Sequence, residues 1–241
     1  MSAVIGAQFQ IDHPHHVLYR LPGGSGPGTL IMDAAGNLYG TTWMGGAYYT
    51  CAPGGPPTGC GTVFELTPQA DGSWVEKVLH SFGNGADGAY PDAGLILDAA
   101  GNLYGTTESG GGPGNYGTVF ELARTHANAV GWTEKVLHSF GNGTDGSDPY
   151  AGLIIDAAGN LYGTTINGGT YGYGTVFELT PTGGGWTEQV LHSFNNDGTD
   201  GANPIEGVII DAAGNLYGTT ENGGPYGTSS YPGDTVFEII P

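Results

Sequence analysis

DAAGNLYGTT is written four times in this chain, at Asp33–Thr42, Asp98–Thr107, Asp156–Thr165 and Asp211–Thr220. The copies begin 65, 58 and 55 residues apart. Two further strings keep pace with it. GTVFEL begins at Gly61, Gly117 and Gly174 and returns as Asp234-Thr-Val-Phe-Glu-Ile, and VLHSF begins at Val78, Val136 and Val190. A degenerate copy of the latter, Val17-Leu-Tyr-Arg-Leu21, precedes the first unit. A period in this range means a repeat architecture, in which each unit is one supersecondary element and stacking buries the core.

Within a unit every local signal is β. In the second, Gly94-Leu-Ile-Leu-Asp98 is a short apolar run, and Ala99-Ala-Gly-Asn102 supplies turn chemistry. Leu103–Thr107 reads as the returning strand. Gly117–Leu122 and Trp132–Phe140 are rich in β-branched and aromatic residues. No segment keeps a 3.6-residue apolar period, so no helix is expected. Four strands per unit, here a to d, in four tandem units predict an all-β, four-bladed β-propeller of antiparallel blades. The blades are expected over 28–82, 94–140, 152–194 and 207–241, forming a single repeat domain. The fourth unit runs out after strand c, while residues 8–21 carry a strand-d pattern. That strand is expected to complete the last blade, either in the same chain or in a neighbouring one.

Composition fits a folded, turn-rich protein. Glycine (48) and proline (15) make up about a quarter of the 241 residues, yet there are 14 Tyr, 8 Phe and 4 Trp. Only four cations, Arg20, Lys77, Arg124 and Lys135, stand against 23 carboxylates, for a formal net charge of −19. So few cations exclude a nucleic-acid or anionic-membrane partner. No apolar run is long enough to span a bilayer, and MSAVIGAQFQ lacks the basic start and apolar stretch of a signal peptide. Either the protein is cytoplasmic or a signal has been removed from this numbering.

The strings VLHSF, DGxxPxAGLIxDAAGNLYGTTxxGG and GTVFELTP resemble the GloVer tandem repeat of bacterial secreted or surface proteins, over residues 17–241. In that family C-terminal anchors commonly follow the array. The resemblance implies an extracellular or cell-surface setting and carries no established activity.

With strand a innermost, the d–a and b–c loops share one face. The d–a loops carry Asp87, Asp145 and Asp200 among Asn and Gly, and the b–c loops bring Tyr48, Tyr49, Tyr116, Tyr171, Tyr173 and Tyr226. Carboxylates and tyrosines on one rim suit a neutral glycan or a cation. The bland reading is that these aspartates only close turns, and none of the loops has EF-hand spacing, so calcium is not signalled. His80, His138 and His192 beside a serine are not expected to be catalytic, because neighbouring strand residues point to opposite faces. Glu65, Glu121, Glu178 and Glu238 recur once per unit, which points to architecture.

Symmetry breaks in the first b–c loop, Trp43–Cys60, at 18 residues against 9 and 8 in the next two units. It holds Trp43, Tyr48 and Tyr49 and the only two cysteines, Cys51 and Cys60, which are expected to form a local disulfide. The HPHH run around His13–His16 is a weak metal signal. No nucleophile elbow, zincin helix, phosphate loop or dinucleotide fingerprint is present. The sequence therefore predicts a non-enzymatic structural or interaction module that needs no cofactor and is able to pair with itself. A carbohydrate-binding propeller is the alternative, and a glycoside hydrolase or lyase comes third.

Overall fold

The computed structural model describes residues 16–22, 24–49, 51, 58–125, 131–141, 143–228 and 231–240, the last two segments without the side chains of 226–228 and 231–232. All regular elements among them are strands. The first sheet contains β1 (Ser25–Pro27), β2 (Ile31–Met32), β3 (Leu38–Met44), β4 (Thr62–Pro68) and β5 (Trp74–Ser81). The second is β6 (Ile96–Leu97), β7 (Leu103–Thr107), β8 (Thr118–Arg124) and β9 (Trp132–Ser139). The third is β10 (Ile154–Ile155), β11 (Leu161–Thr165), β12 (Thr175–Thr182) and β13 (Gly185–Ser193). The fourth is β14 (Ile209–Ile210), β15 (Leu216–Thr228) and β16 (Tyr231–Ile239). Every pairing between these strands is antiparallel, and the expected propeller-like series of all-β units is borne out.

The repeated decapeptide builds the a–b hairpin. Asp98 Oδ1 accepts from the backbone N–H groups of Ala100 and Asn102, and its Oδ2 accepts from the Asn102 amide and the Tyr104 hydroxyl. Gly101, at φ 86°, takes the left-handed turn that a side chain would resist. The Tyr104 hydroxyl also reaches Glu121 on β8, which explains a glutamate in every unit. Asp33, Asp156 and Asp211 repeat the arrangement with Tyr39, Tyr162 and Tyr217. The glycine of LYGTT has its own reason. A Cβ on Gly105 would lie 2.7 Å from the Phe120 ring, which packs against that glycine.

The d strand pairs with c through a bulge. Val63 lies opposite His80 and Phe64 opposite Val78, so Leu79 is skipped, and β8–β9 and β12–β13 show the same shift.

The sheets stack face to face. Tyr39 and Val63 of the first sheet share a core with Leu95, Leu103, Phe120 and Leu122 of the second unit, sealed by Phe82 from the outer strand of the first. The equivalent residues of units two and three, and of three and four, form the next two cores. Threonine hydroxyls tie the series together, with Thr41, Thr106 and Thr164 each donating to a backbone carbonyl of the following unit, at Ala93, Ala151 and Glu206. The outermost strands also meet, since β5 and β9, and β9 and β13, have Cα atoms within 8 Å of each other.

Closure of the series is not seen among the described residues. The fourth sheet has three strands there, and residues 16–22 do not pair with β16. Instead Tyr19 and Leu21 pack on Leu38, Phe64 and Leu66 of the first sheet, as Trp74 does. Residues 8–15, the first part of the expected completing strand, lie outside the described residues.

Candidate functional site

Two regions break the internal symmetry, the loop rim and the two ends of the stack. On the rim, the loop aspartates are turned inward. His80 Nε2 lies 3.0 Å from Asp87 Oδ2, while Asp87 Oδ1 accepts from the backbone N–H of Gly83. His138 with Asp145 and His192 with Asp200 repeat the pair at 3.1 and 2.8 Å. Each histidine ring also stacks edge-on against the phenylalanine two residues later. These groups lock the d–a loop to its strand, and Asp87 and Asp145 are buried. Burial holds the His138 imidazolium below its ordinary pKa, with Asp145 pulling it back up. Among the described residues no cluster of three or more His, Cys, Asp or Glu side chains is arranged to hold a metal ion.

The tyrosines behave differently. Tyr48, Tyr49, Tyr116, Tyr171 and Tyr173 are all exposed, Tyr171 at 58%. Shallow grooves run between successive loops. One of about 940 Å³ is lined by Thr170, Tyr171, His192, Asn195, Asp197 and Asp200. Another of about 190 Å³ sets Tyr116 against the backbone of Gly141, Gly143 and Gly146. The side chain of Tyr226 lies outside the described residues. Cys51 and Cys60 are disulfide-bonded, with Cα atoms 5.6 Å apart. The bond fastens the long loop at the groove that Cys51 shares with Gly83, Gly85 and Asn115.

Trp43 is half-buried. Its Nε1 donates to Glu108 at 3.1 Å and its ring lies against Tyr90, centroids 5.2 Å apart. Tyr90 carries a left-handed φ of 61°, uncommon for an aromatic residue. Beside it, Tyr150 hydrogen-bonds Asp92, and that bond with partial burial pushes the phenol up to about 12. Sequence reading missed Tyr90, Asp92, Glu108 and Tyr150. The signal was present, since the residue after LYGTT is Trp43, Glu108, Ile166 and Glu221 in the four units.

The ends of the stack expose what its interior buries. Val63, Val119 and Val176 are 0% exposed, whereas their fourth counterpart, Val236, is 82% exposed. Ile209 and Thr219 are likewise open, where Thr41, Thr106 and Thr164 are buried. At the other end Leu30 is 48% exposed against 3%, 3% and 2% for Leu95, Leu153 and Val208, and Met32 is open beside it.

The model of the Gloeobacter/Verrucomicrobia repeat matches residues 5–231, in keeping with the GloVer-type repeat that the motif strings resemble. No curated protein matches the chain.

Proposed function

The chain belongs to the Gloeobacter/Verrucomicrobia repeat family, and from that premise we propose that it is a non-enzymatic structural module that assembles through its two open ends outside the cell. The single observation carrying this reading is the exposure of Val236 and Leu30 at positions whose counterparts are sealed between sheets. In the interior, Leu95 of one unit meets Tyr39 and Val63 of the unit before it. Leu30 of one copy and Tyr217 with Val236 of another have the same chemistry and the same unmet need. Apolar area removed from water is the driving term for such a contact. The repeated His, Asp, Tyr and Glu side chains are occupied in architectural contacts, which supports a non-enzymatic role. The Cys51–Cys60 bond supports an oxidising compartment.

Solution mass by light scattering, with negative-stain images of the same sample, tests the reading. The expected result is polymers or large rings, reduced to the 24.6 kDa chain by Val236→Asp. A wild-type protein that stays at the mass of one chain at high concentration would overturn it.

A second reading is favoured by the exposed tyrosines alone. Open aromatic faces beside glycine backbone suit the apolar faces of a neutral glycan. Saturable binding on a glycan panel, weakened by Tyr171→Ala, is the expected outcome. A panel without any binder removes this reading and leaves the first untouched.

A further inference from the structure

We propose that residues 16–22 of one copy serve as the fourth strand of the last sheet of the next copy, so that assembly is by strand donation between chains. This rests on the reading of open-ended assembly and adds the segment, its register and its partner, a second copy of this chain.

The observation behind it is where residues 16–22 lie. In each interior core the final aromatic residue of strand d, Phe82, Phe140 or Phe194, packs on the b and c strands of the following unit. Leu21 occupies that place against the first unit, packed on the cluster of Leu38, Phe64 and Leu66. Tyr19 stands where a histidine stands in the other copies and hydrogen-bonds Glu76; desolvation, and then the Glu76 charge and hydrogen bond, raise the tyrosine pKa. Glu76 is the counterpart of Glu134, which likewise faces His80 of the preceding unit. The segment thus sits as the outer strand of a unit ahead of the first, and no inner strand pairs with it among the described residues. At the far end of the stack the fourth sheet has three strands and an uncovered edge and face among the described residues. Among those residues, one end holds a strand without a sheet, and the other a sheet without a strand.

The register follows from the pairs already present. Thr62 with Ser81, Val63 with His80, Phe64 with Val78 and Glu65 with Lys77 become Thr235 with Arg20, Val236 with Tyr19, Phe237 with Val17 and Glu238 with His16. Leu18 takes the bulge position of Leu79. His16 takes the place opposite the glutamate that Lys77, Lys135 and Gln189 hold in the other units. A donated strand supplies backbone hydrogen bonds as well as side chains, as in other β-augmentation complexes. Because the surfaces joined are different, the contact is head-to-tail and grows into a filament unless its rotation closes a ring.

The test uses three full-length variants, His16→Cys, Glu238→Cys and a chain carrying both substitutions, each at an exposed position. Opposed strand residues lie about 4.5–5.5 Å apart at Cβ, within reach of a disulfide after oxidation. Mixing the two single variants is expected to give a disulfide-linked pair of chains, while Asp71→Cys mixed with Glu238→Cys gives none. A synthetic peptide of residues 16–22, added in excess, is expected to lower the mass of wild-type polymers. If only a chain carrying both cysteines cross-links, and within itself, the strand closes its own ring and the proposal falls. Polymers that form without any His16–Glu238 cross-link and ignore the peptide would sink strand donation while leaving end-to-end assembly standing. A protein that remains a single chain would sink the earlier reading too.

Discussion

Glu134 and Glu188 show how a stacked repeat charges its inner residues. Each buries one carboxylate oxygen, Oε1, that has no hydrogen-bond partner. Burial pushes the Glu134 carboxyl up to about 7, with His80 pulling it down and Asp87 raising it further. Burial, and then Asp145, push Glu188 to about 7 as well. A folded-state pKa above the unfolded one means the fold prefers the protonated acid. This contribution to stability is complete below the unfolded value of about 4.5 and is lost as pH rises through about 7. Glu134→Gln and Glu188→Gln remove the penalty, so both are expected to raise Tm above neutral pH. The gain should vanish by about pH 4.5, as followed by scanning calorimetry across that window. Among the turn aspartates, Asp33, Asp156 and Asp211 carry the opposite sign. Asp156 is held below the ordinary carboxylate range by hydrogen bonds from Asn160, Ala158 and Tyr162, which outweigh its partial burial. Asp98 makes the same four bonds, and Asp98→Ala is expected to cost about 1–3 kcal/mol. At about 2–4 °C per kcal/mol for a chain of this size, thermal melts resolve that loss.

Among the elements, the b and c strands are coupled through a glycine and a phenylalanine. The ring of Phe120 lies over Gly105 and that of Phe177 over Gly163, where an added Cβ would come within 2.7 and 2.6 Å. Leu95 and Leu153 close the same spaces from the short a strands. Overpacking a tight core costs about 1–3 kcal/mol, so Gly105→Ala is expected to lower the urea midpoint by that equivalent without changing the slope. Gly36→Ala has open space around it but a φ of 85°, so its cost is backbone strain of about 1–2 kcal/mol. The contrast between the two separates packing from backbone conformation as the reason for a repeated glycine.

For the whole molecule, charge opposes what the ends invite. A net charge of −19 makes every copy repel the next, and only four cations are present to offset it. Assembly is therefore expected to strengthen with added divalent ions or at mildly acidic pH, seen as a rise in scattering mass. A mass that falls under both conditions would contradict the electrostatic account.

The sequence by itself determined the unit. Four near-identical strings, turn chemistry at Asp-Ala-Ala-Gly-Asn, and β-branched runs without helical period left one economical reading, four antiparallel sheets in tandem. It also made plain that residues recurring in every copy are architectural, and Tyr104 bridging Asp98 and Glu121 is that architecture at atomic scale. What the sequence did not decide is how the units meet their neighbours. Val236 and Val119 are the same letter in the same motif, and only the tertiary arrangement gives one a cover and leaves the other in water. The same holds for Val17–Leu21, whose strand-d pattern was legible while its place against the first sheet was not. Local preference comes from a few adjacent residues. Burial depends on residues brought together from units tens of positions apart, and that information exists only once the stack has formed.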